Sequence, residues 1–217
     1  MSATADLSTR QDFSGMSGNG MSGNGLTGTG LTFDGRADRQ YVFTYAANMH
    51  PAQVAERCSR PVVIGPARLP GHALGFFGHS RVWDGGFATA VPVPGQNLWG
   101  VLYELSYMDA QRLDAWQDAR LDGAGSYFHY PARVYGPDGA EHVALLYKKD
   151  VQGPPAMPSR EYLARIVEGA AARGLPEDYV AALRGMASKP AGYPVPDRGT
   201  ASLELKNIIT SCAECGG

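Results

Sequence analysis

Cysteine, net charge and long apolar runs are what this chain has least of. Three cysteines in 217 residues are too few for a disulfide framework. Cys58 stands alone, and Cys212 and Cys215 lie together at the C-terminus, so a reducing cytoplasm is the expected setting. A formal net charge of −2, with no Lys/Arg cluster, argues against a nucleic-acid partner. No apolar run reaches membrane-spanning length and the N-terminus lacks a basic-then-apolar signal pattern, so no membrane partner is expected. A chain of this length suits one domain with a core of its own.

Glycine is abundant, with 28 residues, and it is unevenly placed. Met16-Ser17-Gly18-Asn19-Gly20 is repeated as Met21-Ser22-Gly23-Asn24-Gly25, and Leu26-Thr27-Gly28-Thr29-Gly30 keeps the rhythm. Such a segment buries too little apolar surface to offset its backbone entropy. Residues 1–40 are therefore expected to be a disordered tail, residues 41–186 the folded domain, and residues 187–217 an extension ending in the Cys-x-x-Cys pair. Either tail is a candidate for a protein partner.

Within the domain, short apolar runs alternate with Gly/Pro punctuation. Tyr41 to Thr44, Val62 to Leu69, His72 to Phe77, Phe87 to Val93 and Leu98 to Leu105 read as strands. Ser106-Tyr107-Met108-Asp109 is a capping box, in which the Ser106 hydroxyl and Asp109 carboxylate satisfy the first N–H groups of a helix. Tyr127 to Tyr135 and His142 to Tyr147 resume the strand pattern around the turn Gly136-Pro137-Asp138-Gly139. Gly153 to Pro158 reads as a linker. Two helices follow, one carrying Leu163, Ile166, Val167 and Ala170 and stopping at Gly174, the other opening at Pro176. This pair is expected to pack on the sheet without taking part in chemistry, and Leu203 to Ile209 reads as a last short strand. Many short strands with few, separated helices give an α+β fold, a small mixed β-barrel or sheet with flanking helices.

The stretch Tyr45-Ala46-Ala47-Asn48-Met49 joins a strand directly to a helix starting at Pro51. The first N–H groups of such a turn have no partner within it, and small side chains let a ligand approach. It is a candidate seat for a carboxylate or phosphate, or no more than a tight connection.

The same stretch, followed by a helix ending in Arg57-Cys58, resembles the Tyr-Gly-Ser-Asn-Met loop of the gamma-glutamylcyclotransferase-like family. Further blocks come in that family's order: Pro70 to Phe76, Trp83 to Ala88, Leu98 to Leu105, Leu113-Asp114 and Tyr127. The resemblance spans roughly residues 41 to 185. It implies a γ-glutamyl or amino-acid-like small-molecule ligand, seated by Tyr45, Ala46, Ala47, Asn48, Met49 and Tyr127, and no cofactor. It also implies intramolecular acyl transfer: the α-amine attacks the γ-carbonyl, 5-oxoproline forms, and an amine or peptide leaves.

The departures fall where that chemistry would be done. Counted from Leu113-Asp114, the family's catalytic glutamate position is held here by Gln117. Ala110, Leu113 and Gln117 share one helix face, so Gln117 is expected to point inward. A carboxylate serves as base and then acid, contributing about 10²–10⁴-fold; a neutral amide holds no proton near pH 7. Asp118 is the substitute acid if the helix ends at Gln117. Asp114 reads as a solvated or capping residue, Glu104 as a strand residue of unfixed face, and His72, His129 and His142 as isolated structural histidines. Ala46-Ala47 replaces the family's Gly-Ser, removing a hydroxyl and disfavouring positive φ. The gap from Gln117 to Tyr127 is long, enlarging the loop beside the cavity. Cys212 and Cys215 supply only two of the four ligands of a structural zinc site, leaving metal capture or thiol chemistry as their candidate roles.

Overall fold

The computed structural model describes residues 39–120, 122–150 and 153–197. The expected N-terminal tail up to residue 38, the strand expected over 203–209 and the Cys212/Cys215 pair lie outside the described residues.

Five strands close into a barrel in the order β1-β3-β2-β4-β5. They are β1 (Arg39–Thr44), β2 (Val62–Ser80), β3 (Gly85–Ser106), β4 (Phe128–Tyr135) and β5 (Glu141–Lys148). Neighbours are antiparallel except β1 and β5, which close the barrel in parallel at Val42 and Leu145. The helices are α1 (Pro51–Ala55), α2 (Tyr107–Gln117), α3 (Arg160–Ala172) and α4 (Glu177–Arg184).

Four of the expected short strands are two long ones. The runs 62–69 and 72–77 are one strand, β2, and the runs 87–93 and 98–105 are one strand, β3. The register between them shifts at Pro70/His72 and at Phe77/Ser80. Gly71 (φ +69°) and Gly78 (φ +63°) sit at those shifts. Glycines that read as strand ends are bulges, where positive φ lets the strand bend without leaving the sheet.

Alternation along the strands divides the core in two. Phe43, Leu102, Leu98, Val134 and Leu146 fill the barrel interior. Val42, Val101, Tyr103 and Leu105 face outward against Met49, Leu113, Ile166 and Leu183. The turn through Gly136 to Gly139 joins β4 to β5, closed by Gly136 N–H donating to the Ala140 carbonyl at 2.9 Å.

Two further expectations are corrected. The Ser106 hydroxyl caps α2 by accepting from Asp109 N–H at 3.2 Å. The Asp109 carboxylate, however, accepts from Ser59 N–H (2.7 Å) and Arg60 N–H (3.0 Å), so it ties α2 to the segment after α1. The stretch 153–158 is bound rather than a free linker. Ala156 N–H donates to the Phe76 carbonyl and Gly86 N–H to the Met157 carbonyl, each at 2.9 Å. No helix among the described residues is long and apolar enough to cross a membrane.

Candidate active site

The segment after β1 turns through one 3-10 turn, Ala47–Met49, before α1. Its carbonyls are all engaged. Ala46 O accepts from Met49 N–H and Ala47 O from His50 N–H. Asn48 O accepts from the Tyr103 hydroxyl (3.4 Å) and Met49 O from Arg173 Nε (3.2 Å). Ala46 has φ −129°, so the alanine costs no left-handed backbone. Behind the turn, buried Arg57 donates to Asn48 Oδ1 (2.8 Å), Gln53 O (2.9 Å) and Gln53 Oε1 (2.6 Å). Its guanidinium lies 3.7 Å from the centre of the Trp116 ring. A cation in that position fixes both the Asn48 amide and the indole that borders the cavity.

Two adjoining cavities open at this turn. The inner one is lined by Phe43, Thr44, Tyr45, Ala46, Asn48, Ala88, Gln117, Tyr127 and Tyr147. The outer one, about 70 Å³, shares Ala46, Asn48, Gln117 and Tyr127 and adds Ala47, Trp83, Trp116, Asp118, Ser126 and Tyr162, among others. Tyr45, Ala46, Ala47, Asn48, Gln117, Asp118 and Tyr127 therefore meet at one place. Met49 does not; it is fully buried in the core outside the barrel and lines neither cavity.

Helix α2 ends at Gln117, and Asp118 is its left-handed cap at φ 48°. Asp118 borders the outer cavity, but Asp118 Oδ2 accepts from both Ser126 N–H and Ser126 Oγ at 2.9 Å. The long loop after α2 thus supplies the hydrogen bonds that hold this carboxylate at the rim.

Tyr45, Tyr127, Tyr147 and Tyr162 surround the cavities, and burial pushes the phenol of each above the ordinary tyrosine range. All four are neutral donors near pH 7. The Tyr45 hydroxyl donates to the Tyr147 carbonyl, and the Tyr127 hydroxyl donates to the Ala88 carbonyl at 3.0 Å. Tyr162 comes from α3, contrary to the expectation that the late helices stay out of the site. It stacks on Trp83 at 4.5 Å, and periodicity marked it only as one more buried position.

Sequence reasoning also missed a cluster beside the inner cavity. The Tyr147 hydroxyl donates to Asp114 Oδ1 at 2.6 Å, and His129 Nε2 lies 2.8 Å from the same oxygen. Asp114 is thus a partly exposed residue held by two partners rather than a free one, and His129 is not isolated. The hydrogen bond to Asp114 raises the His129 pKa above its ordinary value. The other candidates are remote from the cavities. Glu104 pairs with Arg39 at 3.3 Å, His72 Nδ1 bonds its own strand at Pro70 O, and His142 packs edge-on against Tyr41. Among the described residues no group of three or more His, Cys, Asp or Glu could hold a metal ion.

A closed five-stranded barrel whose first strand turns through a small-residue loop into a cavity capped by the end of a helix defines a class of fold, and comparison places the chain within it. The AIG2-like family model matches residues 97–183. The gamma-glutamylcyclotransferase of Bos taurus is 28% identical over 172 residues, covering 77% of this chain and 86% of that protein. The Homo sapiens gamma-glutamylcyclotransferase is 28% identical over 171 residues, with the same coverage. A solved gamma-glutamyl cyclotransferase structure superposes with a TM-score of 0.67 at 25% identity, covering 80% of this chain and 99% of that one. The chain is thus similar, as a divergent relative, to the gamma-glutamylcyclotransferases in sequence and in fold.

Proposed function

We propose that the paired cavities take a γ-glutamyl or related amino-acid amide compound and that the chain carries out intramolecular acyl transfer on it, with Gln117 where the family resemblance implies a glutamate. The observation that supports this is the meeting of Gln117 with Ala46, Asn48 and Tyr127 at the wall common to both cavities. The turn offers backbone N–H groups to a carboxylate, and the neutral phenols offer hydrogen bonds to a carbonyl oxygen. Gln117 orients an ammonium but does not deprotonate it. The proton then needs another acceptor, and Asp118 at the rim is the candidate adjacent in sequence. A reducing, cytoplasmic setting fits Cys58, which is a buried free thiol.

The amide at position 117 favours one second reading, a binding or accessory protein that keeps the pocket without turnover. Release of 5-oxoproline from a panel of γ-glutamyl peptides and amines separates the two, measured for this chain and for Gln117→Glu. Turnover by the chain as it stands supports the enzyme. Turnover by Gln117→Glu alone supports the binding protein. Silence from both overturns γ-glutamyl compounds as the ligand class.

A further inference from the structure

We propose that Tyr147, positioned by Asp114, carries the proton in the inner cavity and so replaces the glutamate that Gln117 does not supply. The inference rests on the acyl-transfer reading above and names the groups that make it workable.

Four tyrosines surround the cavities, and of these four Tyr147 gives its hydroxyl proton to a carboxylate. The bond to Asp114 Oδ1 is 2.6 Å long, in the range of a charge-assisted hydrogen bond. Asp114 stands one helical turn before Gln117 on α2, so the carboxylate and the amide project from neighbouring positions of one face. Tyr147 and Gln117 both line the inner cavity. A carboxylate one turn behind the amide is thus hydrogen-bonded to a residue of the cavity wall. His129 holds the same oxygen at 2.8 Å from the β4 side, which fixes the carboxylate between helix and barrel.

Geometry of this kind allows a two-proton relay with no cofactor. A substrate ammonium proton passes to Tyr147 Oη as the Tyr147 proton passes to Asp114 Oδ1. The free amine then attacks the γ-carbonyl and the new C–N bond forms. As the old C–N bond breaks, the proton returns from Asp114 through Tyr147 to the leaving nitrogen. The second proton on the ring nitrogen follows the same route, and the freed amine departs as an ammonium. Atoms and charge balance. A phenol whose pKa is raised by burial and by Asp114 stays protonated between turnovers, as the relay requires. The titratable groups around it are Asp114 on α2, the neutral Cys58 thiol and, behind Asp114, His129 on β4. Loss of the His129 proton removes a positive partner from the carboxylate and strengthens it as an acceptor.

The test is kcat and KM for 5-oxoproline release across pH for the full chain, Tyr147→Phe, Asp114→Asn and Gln117→Glu. Tyr147→Phe removes only the hydroxyl from a side chain that keeps its shape. The expected result is a fall in kcat of about 10²-fold or more with KM changed little. Asp114→Asn is expected to match it and to remove the rise in rate that accompanies loss of the His129 proton. In the Gln117→Glu background, where a carboxylate again faces the cavity, Tyr147→Phe is expected to cost far less. Retention of kcat within about threefold by Tyr147→Phe in the Gln117 chain overturns the relay. Turnover by Gln117→Glu alone also overturns it while leaving the γ-glutamyl pocket standing. Absence of turnover in every variant overturns both.

Discussion

A β-carbon placed on Gly169 would lie 2.6 Å from the backbone nitrogen of His50. Helix α3 therefore crosses the turn that borders both cavities at backbone contact. On the barrel side, a β-carbon on Gly100 would meet the Thr44 carbonyl and the Phe43 ring. The segment from Thr44 to His50 is clamped between two glycines, one on a strand and one on a helix.

Gly169→Ala sets two effects of opposite sign against each other. Alanine is favoured over glycine inside a helix by about 1 kcal/mol. Overpacking against fixed backbone costs typically about 1–3 kcal/mol. Because the obstacle is the His50 backbone rather than a mobile side chain, the clash is expected to win, leaving a net loss that urea unfolding measures. A variant more stable than the parent would mean that α3 moves aside freely, and the clamp would not exist.

Arg57 joins the first helix to the cavity wall, and its removal is expected to be costly. Arg57→Met keeps much of the volume but strands the buried acceptors on Asn48 and Gln53, at about 1–3 kcal/mol each. It also removes the cation over Trp116, worth about 0.5–2 kcal/mol. The expected loss is about 3 kcal/mol or more in denaturant unfolding, whereas Arg57→Lys should lose less because it keeps the charge without the planar fork. An Arg57→Met protein as stable as the parent would show that these bonds only compensate their own desolvation.

Two of the partly buried histidines, His50 and His129, are expected to titrate on opposite sides of the ordinary value. Burial, with Arg165 and Arg173 nearby, lowers the His50 pKa, whereas the bond to Asp114 raises that of His129. A lowered histidine contributes stability that is present above its unfolded pKa and lost as pH falls through its folded one. A raised histidine contributes stability that is present below its unfolded pKa and lost as pH rises through its folded one. Acidification should therefore loosen the turn, where His50 Nδ1 accepts from Ala52 N–H at 3.2 Å. Alkalinisation should loosen the Asp114 cluster. Proton NMR titration of the imidazole resonances reads both midpoints, and Asp114→Asn should return His129 toward the ordinary range.

Cys58 is expected to be inert in the folded chain. Burial, with Asp109 nearby, pushes its thiol up to about 12, so almost no thiolate exists at pH 8. Iodoacetamide should leave it unmodified in buffer and alkylate it in denaturant. Peptide mass spectrometry distinguishes it from Cys212 and Cys215. Rapid native alkylation would place the thiol at a surface.

Much of the fold was legible in the residues, and the misreadings have definite causes. Ser106 marked the start of α2, Gly136 to Gly139 marked the β4–β5 turn, and the spacing of Leu163, Ile166 and Ala170 marked α3, because caps, turns and helix faces are set within a few residues. Gly71 and Gly78 misled because a glycine at positive φ ends a strand or bulges it, and only the partner strand decides which. Gln117 was singled out from the family resemblance by counting from Leu113-Asp114, and it lines both cavities.

The chain order by itself placed a helix after Ser106 with Gln117 on its inward face, and a small-residue turn after the first strand. It could not determine that Asp114 meets His129 fifteen residues away and Tyr147 thirty-three residues away, or that Tyr162 reaches the cavity from the far side. Those meetings depend on the register of β4 against β5 and on where the parallel β1–β5 pairing closes the barrel. A one-residue slip would turn Tyr147 to the opposite face, and local sequence carries no measure of that register.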